Sequence, residues 1–172
     1  MTKRHASTRA LSVMLAATLS VLAGCASVHN DTPTSAAQLA QQPEMADLST
    51  FYKLTQQAGL NDVLGGTAPV TVFAPSNEAF MAMPAATLDK LAKDPEQLKA
   101  LLSYHMVSGT VLSTDIQANT TLPTLNGLKL NVSKAGDFVT VDDAMASQVD
   151  IKTANGVIHK IDRVLTPPAA KK

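Results

Sequence analysis

The chain has 172 residues, a single cysteine, no tryptophan and a formal charge of zero. That length accommodates one domain with a real core and is too short for two comfortable ones. Scattered lysines and arginines exclude the basic footprint of a nucleic-acid binder, and 3% aromatic residues leave few stacking platforms for bases or sugars.

Lys3, Arg4 and Arg9 form a positive segment ahead of an apolar run from Leu11 to Leu22, interrupted only by Ser and Thr. The run is shorter than a membrane span and is followed by small residues, so residues 1–24 read as a secretory signal. Leu22-Ala23-Gly24-Cys25 is similar to the bacterial lipobox, which implies that Cys25 becomes the lipidated first residue of the mature protein. A buried free thiol is the competing reading, but a lone Cys where a signal segment ends is a poor core residue. With Cys25 committed to lipid, burial and hydrogen bonding alone must stabilise the domain. Acyl chains contribute about 0.8 kcal/mol per buried methylene, so several on one residue hold the protein durably at a membrane. Ala26 and Ser27 follow, and neither is the Asp that favours inner-membrane retention in the lipoproteins this segment resembles. An outer-membrane location in the bacterial envelope is implied if the source is Gram-negative, with the domain on the periplasmic or the surface face. Removing the signal takes away three basic residues and no acid, leaving 11 basic against 14 acidic residues and a net charge of −3.

Residues 26–43 are mainly Ala, Ser, Thr, Gln and Asn with Pro33 and Pro43, a composition that predicts a flexible spacer. The folded domain is expected over 44–167, with a short tail over 168–172. It opens with a helix that Asp47 can cap, with Leu48, Phe51, Tyr52 and Leu54-Ala58 on one stripe and Gly59 suited to its end. After the Gly65-Gly66 turn, Val70-Thr71-Val72-Phe73 reads as a buried strand stopped by Pro75. Ser76 or Asn77 then caps a short helix that returns Phe80 to the core beside Phe73. Residues 84–103 predict two helices, the second capped by Asp94-Pro95. From Tyr104 the period changes to two, predicting strands over 104–107, 128–132, 138–142, 149–153 and 157–165. Asn126-Gly127 and Asn155-Gly156 predict hairpin turns. Helices first and antiparallel strands after give an α+β domain.

Two stretches, Thr71-Val-Phe-Ala-Pro-Ser-Asn-Glu-Ala-Phe80 and Asn155-Gly-Val-Ile-His-Lys-Ile-Asp-Arg-Val-Leu-Thr-Pro167, flank Tyr104-His105. This arrangement resembles the two signature boxes and central Tyr-His of the fasciclin domain, over about Met45 to Pro167. The resemblance implies a compact β-sandwich-like wedge with helices packed along one edge, and an extracellular adhesion or interaction module. It also implies a possible contact role for Tyr104 and His105, the dipeptide implicated in cell attachment by animal members. Adjacent strand residues point to opposite faces, so packing favours a structural role for at least one of the two.

The chemistry of turnover is not indicated. Ser76 lacks a Gly-x-Ser-x-Gly elbow and a local base. His159 reads as a satisfied packing residue. Met81, Met83 and His105-Met106 would suit copper(I), yet the methionines fit apolar stripes and no His-x-His or Cys supports them. Asp142-Asp143 lacks the spacing of a calcium loop and reads as a turn. No metal or other cofactor is expected, and no enzymatic activity. The reading is a non-catalytic, lipid-anchored module for adhesion or envelope interaction, with membrane contact through Cys25 and a protein or polysaccharide partner. A carrier or sensor of a small molecule or metal is the alternative; a hydrolase ranks last.

Overall fold

The computed structural model describes residues 43–168. The expected signal segment, Cys25 and all of the spacer but Pro43 lie outside the described residues, as does the tail beyond Pro168. Within them, a 3-10 helix over Pro43–Leu48 leads into α1 (Ser49–Gln57), followed by α2 (Asn61–Gly65), β1 (Val70–Pro75) and α3 (Asn77–Met81). Next come α4 (Ala85–Lys93), α5 (Pro95–Tyr104) and β2 (Met106–Ser108). Five strands complete the domain: β3 (Thr120–Pro123), β4 (Lys129–Ala135), β5 (Phe138–Val141), β6 (Ala144–Thr153) and β7 (Gly156–Ile161). The α+β reading therefore describes the domain.

Local chemistry explains most helix ends. Gly59 has φ +68 and closes α1 with two bonds, Gly59 N–H to the Gln56 carbonyl and Leu60 N–H to the Thr55 carbonyl, the Schellman pattern. Ser76 Oγ accepts from the Ala79 amide at 3.2 Å, and Asp94 Oδ1 accepts from the Glu96 and Gln97 amides. Asp47 does not cap α1. It sits inside the 3-10 helix, one residue too early, and pairs with Lys160 at 2.6 Å instead. The cap comes from 27 residues away: Asn77 Oδ1 accepts from the Thr50 amide at 2.9 Å while Nδ2 donates to the Ala46 carbonyl.

The strands form one seven-stranded sheet in the order β2-β1-β7-β6-β5-β4-β3, antiparallel except where β1 runs parallel to β7. Its two outer strands meet through a Val107–Thr124 bridge and a Leu125 amide bond to Met106, so the sheet rolls back towards itself. Two register shifts in β6 let one long strand serve both β5 and β7, the bending role of bulges. β3 is absent from the sequence prediction because it is short and ends in Pro123. β7 stops at Ile161 rather than Leu165 because the Ser76 amide takes the Ile161 carbonyl and Asp162 folds back onto Met145. The last hairpin turns on Ala154-Asn155, since Thr153 pairs with Gly156. Gly156 is required for a different reason: a Cβ there would run into the Val70 carbonyl across the parallel pair.

β1 is buried along its whole length and divides two cores by strand alternation. Val70, Val72 and Ala74 face the helices with Leu48, Phe51, Leu102 and Met106. Phe73 faces the interior of the rolled sheet with Tyr104, Leu130, Val132, Val141 and Leu165. Each fully buried large side chain contributes about 1.5–3 kcal/mol. Phe80 is buried too, but in the helix-side core, so it does not lie beside Phe73.

Candidate functional site

Tyr104 and His105 do not open a strand. Tyr104 is the last residue of α5 and His105 is its C-cap; the strand starts at Met106. The pair therefore diverges from a helix end, and both side chains enter the protein, at 1% and 0% exposure. His105 Nδ1 lies 2.8 Å from the Leu101 carbonyl, and its Nε2 lies 3.0 Å from the Leu165 amide. An amide can only donate, so Nε2 is the unprotonated acceptor and Nδ1–H donates to Leu101. Burial pushes the imidazole down to about 4 against the pull of the Leu101 carbonyl.

The Tyr104 hydroxyl reaches the opposite side and donates to Asp142 Oδ2 at 2.6 Å. Burial, then the hydrogen bond and charge of Asp142, raise the phenol well above its usual range. Asp142 holds φ +48, uncommon for a non-glycine residue, and accepts at Oδ1 from the amide and the side-chain Nδ2 of Asn131. Above this cluster opens a hollow of about 590 Å³, walled by Lys129, Asn131, Asp143, Arg163 and Thr166 with Tyr104. The helix end, the Asp142 turn and the segment after β7 thus converge on one place. Lys129, Asp143 and Arg163 present charged groups with no hydrogen bond to another side chain among the described residues.

The second buried histidine mirrors the first. His159 stacks on Phe73 with centroids 5.2 Å apart, approaches the Val111 carbonyl through Nε2 at 2.9 Å and accepts from the Asp150 amide at Nδ1. Burial lowers its pKa. Asp150, at φ +60, accepts from both the amide and the hydroxyl of Ser113, and Lys134 caps the Ser113 carbonyl at 3.0 Å. Both imidazoles are saturated, so neither is available as a base or ligand without breaking the fold. Ser76 Oγ is committed to its helix. Met81 is 74% exposed whereas Met106 is fully buried, and among the described residues no three His, Cys, Asp or Glu side chains gather as a metal cluster. Cys25 lies outside the described residues. The geometry offers surface recognition at the hollow. Sequence reading did not find the Asn77 clamp, the Asp142 hub or the Ser113–Asp150 pair; each includes a bond between residues at least 27 apart, and only the Asp142-Asp143 turn gave any local signal.

A family model for the fasciclin domain matches residues 46–167. The chain is 42% identical over 123 residues to transforming growth factor-beta-induced protein ig-h3 of Sus scrofa, covering 71% of this chain and 18% of that one. It is 38% identical over 160 residues to cell surface glycolipoprotein MPB83 of Mycobacterium bovis, covering 85% and 71%. It is 35% identical over 122 residues to protein sll1483 of Synechocystis, covering 70% and 67%. Among solved structures, the FAS1 domain pair of the insect cell adhesion molecule fasciclin I aligns with a TM-score of 0.55 at 26% identity, covering 73% of this chain and 47% of that one. The chain spans less than a fifth of ig-h3 and about half of the insect domain pair.

Proposed function

Because this chain belongs to the fasciclin-domain family, we propose that it is a non-catalytic binding module of the bacterial envelope, lipid-anchored at Cys25 and serving attachment to a cell or matrix partner. The observation that carries the reading is the likeness to MPB83, a cell surface glycolipoprotein, over 85% of this chain, more than the share matched in ig-h3. Fasciclin I, described as an insect cell adhesion molecule, supports the attachment part. The saturated histidines and Ser76 support a domain that binds and does not turn over substrate. Many tethered copies on one membrane supply avidity.

The test compares attachment and aggregation of cells carrying the wild type, Cys25→Ser and a deletion, with membrane fractions blotted in parallel. Loss in both mutants supports a tethered adhesin. Loss of the anchor with attachment intact contradicts it. The hollow of about 590 Å³ favours a second reading, a carrier of a small polar molecule; a ligand that raises the melting temperature and is blocked by Arg163→Glu would establish it.

A further inference from the structure

In the segment after β7, Arg163, Thr166 and Pro168 are exposed, Val164 and Pro167 half-buried and Leu165 buried. From Arg163 to Pro168 the chain carries neither helix nor strand. Buried Leu165 anchors it, through its side chain and through its amide on His105. Among the described residues, the amides of Arg163, Val164 and Thr166 have no protein partner, nor do the carbonyls from Arg163 to Thr166. A fixed strip with open main-chain donors and acceptors is a template for another chain.

A hollow lies on either side of that strip, and Arg163, Val164 and Thr166 line both. The first is the polar one above Tyr104. The second, about 440 Å³, is completed by Ala79, Ala82, Met83 and Pro84 and is mainly apolar. Neither Arg163 nor Lys129 has an ion-pair partner among the described residues, where the one pair is Lys160–Asp47. Asp142 and Asp143 stand on the same wall and balance the two cations, with Asp142 already held by Tyr104 and Asn131, so the site suits a single carboxylate placed at Arg163 and no polyanion.

We propose that the Arg163–Thr166 strip and its two flanking hollows form the docking site for an extended peptide segment of a protein partner, which brings a carboxylate to Arg163 and Lys129 and an apolar side chain to the Met83 side. Main-chain bonds to the strip give affinity, and the two hollows give side-chain choice. The inference rests on the reading of the domain as a binding module and names the class of its partner.

The test pans phage-displayed random dodecapeptides against the full chain and measures binding of the selected peptides, as synthetic compounds, to the wild type, Arg163→Glu and Arg163→Lys. Arg163 is exposed, so thermal unfolding confirms that the variants fold. Expected are clones that pair an acidic with an apolar residue, lose about tenfold or more in affinity with Arg163→Glu, are partly rescued by Arg163→Lys, and slow amide exchange at 163, 164 and 166. No enrichment, equal binding to Arg163→Glu, protection elsewhere on the sheet, or displacement by alginate, a uronate polymer, overturns the site. Attachment that needs Cys25 yet ignores Arg163→Glu sinks this site alone. Peptide binding through Arg163 with no attachment phenotype for Cys25→Ser sinks the adhesion reading alone.

Discussion

The Leu165 amide donates to Nε2 of His105 across 60 residues of sequence, at 3.0 Å, and so ties the segment after the last strand to the end of α5. A protonated imidazole cannot accept that bond. His105 is held neutral by burial, down to about 4 from its ordinary 6.5, and His159 is lowered in the same direction for the same first reason. The unfolded state therefore binds more protons than the folded one between about pH 4 and 6.5, and stability falls as pH falls through that window. The expected loss from His105 alone is about 3 kcal/mol. Denaturant unfolding at pH 8, 6, 5 and 4 checks it; a flat midpoint between pH 7 and 4 contradicts it.

At the alkaline end the sign reverses. Burial raises Tyr52, and burial with Asp142 raises Tyr104, so the folded chain holds both phenols neutral past their ordinary range. Absorbance near the phenolate band is expected to stay flat through about pH 10 and to rise only as the protein unfolds. Tyr104→Phe removes the bond to Asp142 and is expected to cost about 1.5–3 kcal/mol, read as a lower melting temperature with the helices intact.

Asn77→Ala removes the acceptor for the Thr50 amide and the donor to the Ala46 carbonyl together. A loss of about 1–2 kcal/mol is expected, with faster amide exchange confined to residues 43–52. Asn77→Asp keeps the acceptor and loses the donor, so it falls between the two. Exchange that quickens evenly across the sheet would argue against a local clamp.

Gly156 and Gly65 separate two uses of glycine. Gly156→Ala drives a Cβ into the Val70 carbonyl and is expected to destabilise by about 2–4 kcal/mol, because backbone cannot step aside as a side chain can. Gly65→Ala meets nothing within 4 Å and ends a short helix, so it is expected to be neutral or to stabilise by about 0.4–1 kcal/mol. Paired melting curves decide it.

What the sequence made legible was local. Ser76, Asp94 and Gly59 act on neighbours within five residues, and their caps and turn follow from residue type alone. β-Branched content also placed β1 as a buried strand. What it hid was every partnership made across the fold. Asp47 looks like a cap until the 3-10 helix absorbs it, and Asn155-Gly156 looks like a turn until the Thr153–Gly156 pair moves the turn back one residue. Tyr104-His105 fits the start of a strand equally well as the end of a helix, and α5 settles which. The resemblance to fasciclin domains implied the wedge with helices along one edge; the strand order and the parallel β1–β7 pair are encoded by neither that wedge nor short-range periodicity. The convergence of Tyr104, Asp142 and Arg163 on one hollow depends on that topology and on no local pattern.

If the domain itself makes the contact that holds a cell in place, free domain competes for its partner. The most direct measurement is competition: surfaces are pre-incubated with rising amounts of the purified, unlipidated Cys25→Ser chain, and attached wild-type cells are counted. Attachment is expected to fall with dose, as free domain occupies the partner. Attachment unchanged at saturating free domain, with the added chain shown to be folded, would contradict it.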